Sequence, residues 1–299
     1  MKHTALSLMI AALASMSCQA QFERNYTDIP YAENASEAQV MDIYLPSEGN
    51  GPFPVMVFIH GGAWFGGDKG GHQVAPWLKL LPHGYAVASI NYTLAGDAPH
   101  PAGIQDCKTA IRFLKANAKK YHIDPKRMAV SGESSGAHYA LMVTTTPGNP
   151  EFEDLTAGNP EVASDVTCCV SWYGGLDLPM IVADAMSPGW DNFGAQFAID
   201  NCSRYLNHTI ESPDDPALEL ASPIHYITPD MPPVLLQHGT NDQLAPYNQS
   251  VHFYEKAITI VPEGQIEIDL LDGFSHADDR FGSDENMARI AAWLDKYMK

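Results

Sequence analysis

The sequence predicts an α/β protein: a mainly parallel sheet with helices on both faces and a small insertion over the rim where the strands end. Three observations carry this. Phe53-Pro-Val-Met-Val-Phe-Ile59 and Tyr85-Ala-Val-Ala-Ser-Ile-Asn91 are near-continuous apolar runs, as expected of strands covered on both faces. Segments of strand character alternate with segments of helical spacing, the pattern of βαβ units. Finally, the glycine-rich and titratable stretches follow directly on predicted strands, which would gather them on one rim, where open α/β sheets keep their sites.

Taken in order, residues 22–45 contain two strand-like pieces, ending in Gln39-Val-Met-Asp-Ile-Tyr-Leu45. Pro46-Ser-Glu-Gly-Asn-Gly-Pro52 is a turn cluster. The first buried strand runs into His60-Gly-Gly-Ala-Trp64 and Gly66-Gly-Asp-Lys-Gly-Gly71. After a second buried strand, Ala110-Ile-Arg-Phe-Leu114 has helical spacing, with Asp106 as its expected N-cap. Met128-Ala-Val-Ser131 is a third strand, and Tyr139-Ala-Leu-Met-Val143 a helix. Residues 146–165, rich in Pro, Gly and acids, read as a surface loop, and Val166-Thr-Cys-Cys-Val-Ser-Trp172 as another strand closed by Tyr173-Gly-Gly175. Residues 176–230 break the alternation and read as an insertion over the sheet. Pro233-Val-Leu-Leu-Gln-His238 and Ile266-Glu-Ile-Asp-Leu-Leu271 are the last strands, each followed by a helical pattern.

The chain has 299 residues, 45% hydrophobic, and a formal charge of -19. That content supplies a core. The charge disfavours nucleic acid and anionic membranes as partners and suits neutral substrates. Lys2 and His3 precede the apolar run Ala5-Leu-Ser-Leu-Met-Ile-Ala-Ala-Leu13, and small residues lead to Cys18-Gln-Ala20. This is the pattern of a signal peptide over residues 1–20, too short to span a bilayer, with the mature domain over 21–299. Export to the periplasm or the extracellular space is expected. Lipidation at Cys18 is the alternative, disfavoured because Ser15-Met-Ser17 departs from the usual Leu-small-small pattern. Cys107, Cys168, Cys169 and Cys202 remain in the mature chain, and disulfides or buried thiols are both open. Cys168 and Cys169 would point to opposite sheet faces.

Gly132-Glu-Ser-Ser-Gly136 stands between strand and helix, the setting of a nucleophile elbow. There Ser134 Oγ is lifted clear of the sheet, and the helix N-terminus aims free N–H groups at developing negative charge. A serine hydroxyl needs an adjacent base. His276, in Gly273-Phe-Ser-His276, fits that role, and Asp242, ending Gly239-Thr-Asn-Asp242, would orient it. The N–H groups of Gly61, Gly62 and Ser135 are candidates for an oxyanion hole. Asp272, Asp278 and Asp279 compete with Asp242, and His238 competes with His276. A strand end suggests a packed role for His238; His72, His100 and His138 also read as structural. Without His-Glu-x-x-His or similar spacing, neither metal nor cofactor is expected.

From about Val40 to Tyr297 the chain resembles the hormone-sensitive-lipase-like esterases of the α/β-hydrolase fold. It looks most like bacterial carboxylesterases of the feruloyl and acetyl xylan esterase type. The residues that carry this are His60-Gly-Gly-Ala-Trp-Phe-Gly-Gly-Asp-Lys69, Gly132-Glu-Ser-Ser-Gly-Ala-His138, Ala221-Ser-Pro-Ile-His-Tyr226 and Pro232-Pro-Val-Leu-Leu-Gln-His-Gly-Thr-Asn-Asp242. The resemblance implies Ser134 as nucleophile, Asp242 as acid, His276 as base, and Gly61, Gly62 and Ser135 around the oxyanion. Ala63 stands where many members carry a third glycine, which leaves open which loop amide donates; Ala137 replaces another common glycine. The expected activity is hydrolysis of short-acyl carboxylic esters of a small-molecule or carbohydrate alcohol, with Trp64, and Trp190 beside it, as flat substrate-facing surfaces. The insertion reads as too polar for a large apolar lid. An amidase or peptidase on the same fold, and a hydrolase-fold binding protein without catalysis, are the alternatives. No stable membrane insertion is expected, and the oligomeric state is open.

Overall fold

A computed structural model describes residues 25–186 and 192–299. Eight strands form one sheet: β1 (Asn25–Pro30), β2 (Val40–Tyr44), β3 (Phe53–Ile59), β4 (Ala86–Ile90), β5 (Ile123–Glu133), β6 (Cys168–Trp172), β7 (Val234–Gly239) and β8 (Ile266–Leu271). Their spatial order is β1-β2-β4-β3-β5-β6-β7-β8. β1 and β2 pair antiparallel, as do β2 and β4, and every other neighbour is parallel. The helices are α1 (Ala75–Leu78), α2 (Ala102–Ala116), α3 (Ser135–Thr145), α4 (Leu178–Ala185), α5 (Asn192–Tyr205), α6 (Pro216–Leu220), α7 (Asn248–Ala257) and α8 (Asp284–Met298).

The apolar runs become central strands because both faces are covered, and alternate side chains enter two separate cores. Val55, Val57 and Ile59 of β3 join residues of α2, α3 and α7 on one face. Met56 and Phe58 join Trp77 of α1 and Met287, Ile290, Ala291 and Leu294 of α8 on the other. That last set follows helical spacing, and Ser283 caps α8 by accepting from Asn286 N. Cys168 and Cys169 enter opposite cores, and all four cysteines of the described chain are buried free thiols. Among the described residues no helix is long and apolar enough to cross a membrane.

Two local expectations are corrected. Asp106 does not cap a helix: α2 begins at Ala102, and Asp106 lies inside it, accepting from Gln39 Nε2 at 2.7 Å and Thr93 N at 2.8 Å. The cap-like residue instead ties the entry to β2 and the exit from β4 to α2, a long-range role that local spacing does not reveal. Residues 146–165 are not simply surface. Phe152 is fully buried there, and Glu153 pairs with Lys108 at 3.3 Å and with Arg112, both on α2. Burial lowers the Lys108 ammonium to about 8 despite Glu153. The acids that made the segment look solvated are in part its anchors. Residues 1–24, and with them the signal segment and Cys18, lie outside the described residues, as does Trp190.

Candidate active site

The site forms where β3, β5, β7 and β8 end. Ser134 closes β5 at φ 52° and ψ -122°, an unfavourable region for a residue with a Cβ. The turn is held from three sides. Ser134 N donates to Trp172 O of β6 at 2.9 Å, and His138 N to Ser134 O at 3.1 Å. A Cβ on Gly136 would lie 2.2 Å from Ile59 O, and one on Gly132 would lie 2.2 Å from Gly136 O. Only glycine lets β3, the elbow and α3 approach so closely.

His276 Nε2 lies 3.0 Å from Ser134 Oγ, and its Nδ1 lies 2.7 Å from Asp242 Oδ2. Facing a carboxylate, Nδ1 carries the proton, so Nε2 accepts from the serine hydroxyl. Asp242 is fixed in turn: its Oδ1 accepts from Leu244 N and Ala245 N, each at 2.9 Å. Burial works to raise this carboxyl, but bonds from His238 and His276, and their charge, hold it well below the usual carboxylate range. The three residues singled out in the sequence are thus in one hydrogen-bonded line.

The competing residues lie elsewhere. Asp278 accepts from Arg280 and Ser275 of its own loop, and Asp272 from Thr240 Oγ1 at 3.3 Å. His238 is buried, with Nδ1 on Ser250 Oγ and Nε2 on Ala245 O, both at 2.8 Å. It also lies 3.3 Å from Asp242 Oδ2, behind the carboxylate rather than beside the serine. His138 is buried between Trp64 and the Ala221 carbonyl, and burial lowers its imidazole to about 3. His100 bonds Tyr205 at 2.8 Å and is lowered to about 4 by burial.

The loop after β3 faces Ser134. His60 is buried; its Nδ1–H donates to Gly61 O at 2.9 Å, its ring stacks on Tyr92 at 4.4 Å, and Tyr92 O–H donates to His60 O at 2.9 Å. Gly62 turns at φ 124°, where a Cβ would lie 2.2 Å from Gly66 O. Gly62 and Ala63 line the cavity, Ala63 with φ 52° despite its side chain. Gly61 is not in the cavity wall: it packs on the elbow, and a Cβ there would lie 2.9 Å from Glu133 O. Across the cavity, Ser135 opens α3, so its N–H has no carbonyl one turn earlier to receive it.

These residues line a cavity of about 410 Å³. Its wall is more apolar than the sequence suggested, because Ile181 of α4 and Ala198 and Cys202 of α5 turn inward. The sequence hid this because the inward faces of α4 and α5 are set by how the two helices fold over the sheet rather than by local spacing. Trp64 lines the cavity, but Tyr205 covers one of its ring faces at 4.4 Å, so less of that flat surface is free than expected. Glu133, Gln73 and Tyr173 also line it and were not singled out from the sequence. A signal existed for two: Glu133 is the variable position of Gly-x-Ser-x-Gly, and Tyr173 follows a strand on the same rim.

Comparison with known proteins agrees with this architecture. A family model described as BD-FAE matches residues 41–257. Esterase LipC of Mycobacterium tuberculosis is 30% identical over 250 residues, 79% of this chain and 58% of that protein. The probable carboxylic ester hydrolase LipM of the same organism is 30% identical over 77% of this chain and 51% of its own. The chain thus spans a little over half the length of these curated relatives. Among solved structures, a bifunctional GH43-CE of Bacteroides eggerthii superposes with a TM-score of 0.80 at 28% identity, over 92% of this chain and 35% of that one. A truncated carbohydrate esterase from gut microbiota has a TM-score of 0.79 at 24% identity, over 94% and 98% of the two chains. With most of its length matched by the family model and its fold shared with α/β-hydrolase esterases, the chain belongs to the BD-FAE family.

Proposed function

We propose that the protein is an exported serine carboxylic ester hydrolase acting on short-acyl esters of an uncharged alcohol, a carbohydrate being the favoured class. The observation that carries the reading is the line from Ser134 Oγ through His276 to Asp242, at 3.0 and 2.7 Å, beside a cavity whose wall includes Gly62, Ala63 and Ser135. In this mechanism His276 takes the serine proton as Oγ attacks the ester carbonyl. The oxyanion is received by the Ser135 N–H and by glycine-loop amides, and imidazolium returns the proton to the departing alkoxide. Water then hydrolyses the acyl-enzyme by the same steps in reverse order. Asp242, ionised and buried, stabilises the imidazolium throughout.

Support for a compact substrate comes from the cavity. At about 410 Å³ it is at the lower end of ligand-pocket sizes and must receive both sides of the ester. Its wall also includes Gln73, Glu133 and Asn201. Relatives named as esterases, and the carbohydrate esterases among the structural neighbours, favour the ester and carbohydrate parts of the reading. Export rests on the pattern of residues 1–20, and no membrane anchor is proposed. Turnover of a chromogenic acetyl ester beside the matching anilide tests the reading: the ester should be cleaved and the anilide hardly at all. A faster anilide would favour an amidase, and cleavage of neither would favour a binding protein.

A further inference from the structure

Glu133 is a buried carboxylate with no task in the relay just described. It is 5% exposed, sits between Gly132 and Ser134, and has no lysine or arginine in ion-pair contact among the described residues. A buried carboxylate without a counter-charge is costly unless hydrogen bonds hold it. Its Oε2 accepts from Tyr173 O–H at 3.0 Å. Tyr173 itself is held in an unusual place. Its φ is 41°, its N–H donates to Gln237 O at 2.9 Å, and the residue is 2% exposed. The ring meets Phe281 edge-on at 4.6 Å and the His276 imidazole edge-on at 4.9 Å. Burial and the Glu133 charge push the Tyr173 hydroxyl well above its ordinary range, so it stays a donor.

The arrangement answers a mechanical need. A bond from Nδ1 to Asp242 fixes one atom of the His276 ring and leaves rotation about that bond as a soft motion. Contact on the ring's flank removes that freedom, and the flanking ring is Tyr173, whose own hydroxyl is pinned by Glu133. We propose that Glu133 is a positioning residue that acts through Tyr173 to hold the His276 imidazole in line with Ser134. This rests on the esterase reading and gives the variable residue of the elbow motif a role in it.

The test compares Tyr173→Phe, Glu133→Ala, the double variant and Glu133→Gln with wild type. Two rates are read: kcat and KM for a chromogenic acetyl ester, and labelling of Ser134 by a small fluorophosphonate, which needs the activated serine but no natural substrate. A misplaced imidazole should lower kcat and the labelling rate by about 10- to 100-fold in each single variant, with little change in KM. Because both residues act on one path, the double variant should be no slower than the slower single one. Glu133→Gln keeps an oxygen that accepts from Tyr173 and should recover most of the loss. Additive losses, an unrescued Glu133→Gln, a rise in KM without a fall in kcat, or no loss at all would each overturn the proposal. If Glu133→Ala fails to fold, Tyr173→Phe and Glu133→Gln still decide it. Wild-type protein that is not labelled at Ser134 would overturn the esterase reading and this inference together; a labelled wild type with equally fast variants overturns only the inference.

Discussion

Replacing Asp242 by asparagine tests the relay at its most constrained atom. Oδ1 of Asp242 accepts from two backbone N–H groups, those of Leu244 and Ala245, while Oδ2 accepts from His276 Nδ1. An asparagine has one oxygen and one NH2 for these two duties. If its oxygen stays on the backbone pair, the NH2 faces Nδ1, which must become an acceptor. The ring proton then moves to Nε2, and the imidazole can no longer take a proton from Ser134. If the amide turns over, its NH2 faces two N–H donors in a buried site, and the loop opens. Either way the productive tautomer is lost. Where the same tautomer error has been measured in a serine hydrolase the fall is about 10⁴, or about 5.4 kcal/mol of activation free energy. We expect Asp242→Asn to lower kcat/KM for a chromogenic acetyl ester by about that factor while circular dichroism is unchanged. Asn at 272 or 279, both exposed, should leave activity within about threefold, and Asn at 278, which keeps an oxygen for Ser275 N and Arg280 N, should stay far short of the loss at 242. A loss below about tenfold at 242, or a large one at a rival position, would refute the argument.

Three other outcomes follow. Hydrogen bonds from two histidines hold Asp242 below the usual carboxylate range, so its carboxylate stays charged in mild acid. The same depressed value makes Asp242 a source of stability present above its unfolded pKa and lost as pH drops through its folded one. A midpoint in urea that did not decline in strong acid would tell against this. Gly132→Ala would drive a Cβ to 2.2 Å from Gly136 O, and denaturant titration should show a loss of at least about 1–3 kcal/mol, or no soluble protein. Among acetyl, butyryl and dodecanoyl esters of one alcohol, kcat/KM should be highest at the short end. Each added methylene gains its ~0.8 kcal/mol only where an apolar wall receives it, and a dodecanoyl optimum would replace this reading with a lipase-like one.

Much of the fold was legible because the chemistry is local. Phe53 to Ile59 can only be covered on both faces, and Gly132, Ser134 and Gly136 need a tight strand-to-helix turn that few other arrangements provide. The placement of Asp242 and His276 on the rim was legible from their positions just past β7 and β8. What stayed hidden depends on distant partners. Asp106 looks like a cap until Gln39, just before β2, and Thr93, just past β4, reach it, and Glu153 looks solvated until Lys108 and Arg112 enclose it. The cavity wall from α4 and α5 was missed for a similar reason, since Ile181, Ala198 and Cys202 converge only after the chain has crossed over the sheet. Tyr173 shows the limit most clearly. Its strand-end position was visible, but not that its hydroxyl reaches Glu133 and its ring His276.

The central claim is that Ser134 is the nucleophile of an ester hydrolase. Steady-state hydrolysis of p-nitrophenyl acetate by wild type and Ser134→Ala tests it most directly, with thermal melts to show that both are folded. Loss of the nucleophile in a triad hydrolase costs about 10⁶ in kcat, so the variant should fall to the background of spontaneous hydrolysis while its melt stays within a few degrees. A folded Ser134→Ala protein that retains activity within about tenfold of wild type would contradict the assignment and move the search for the reacting group elsewhere.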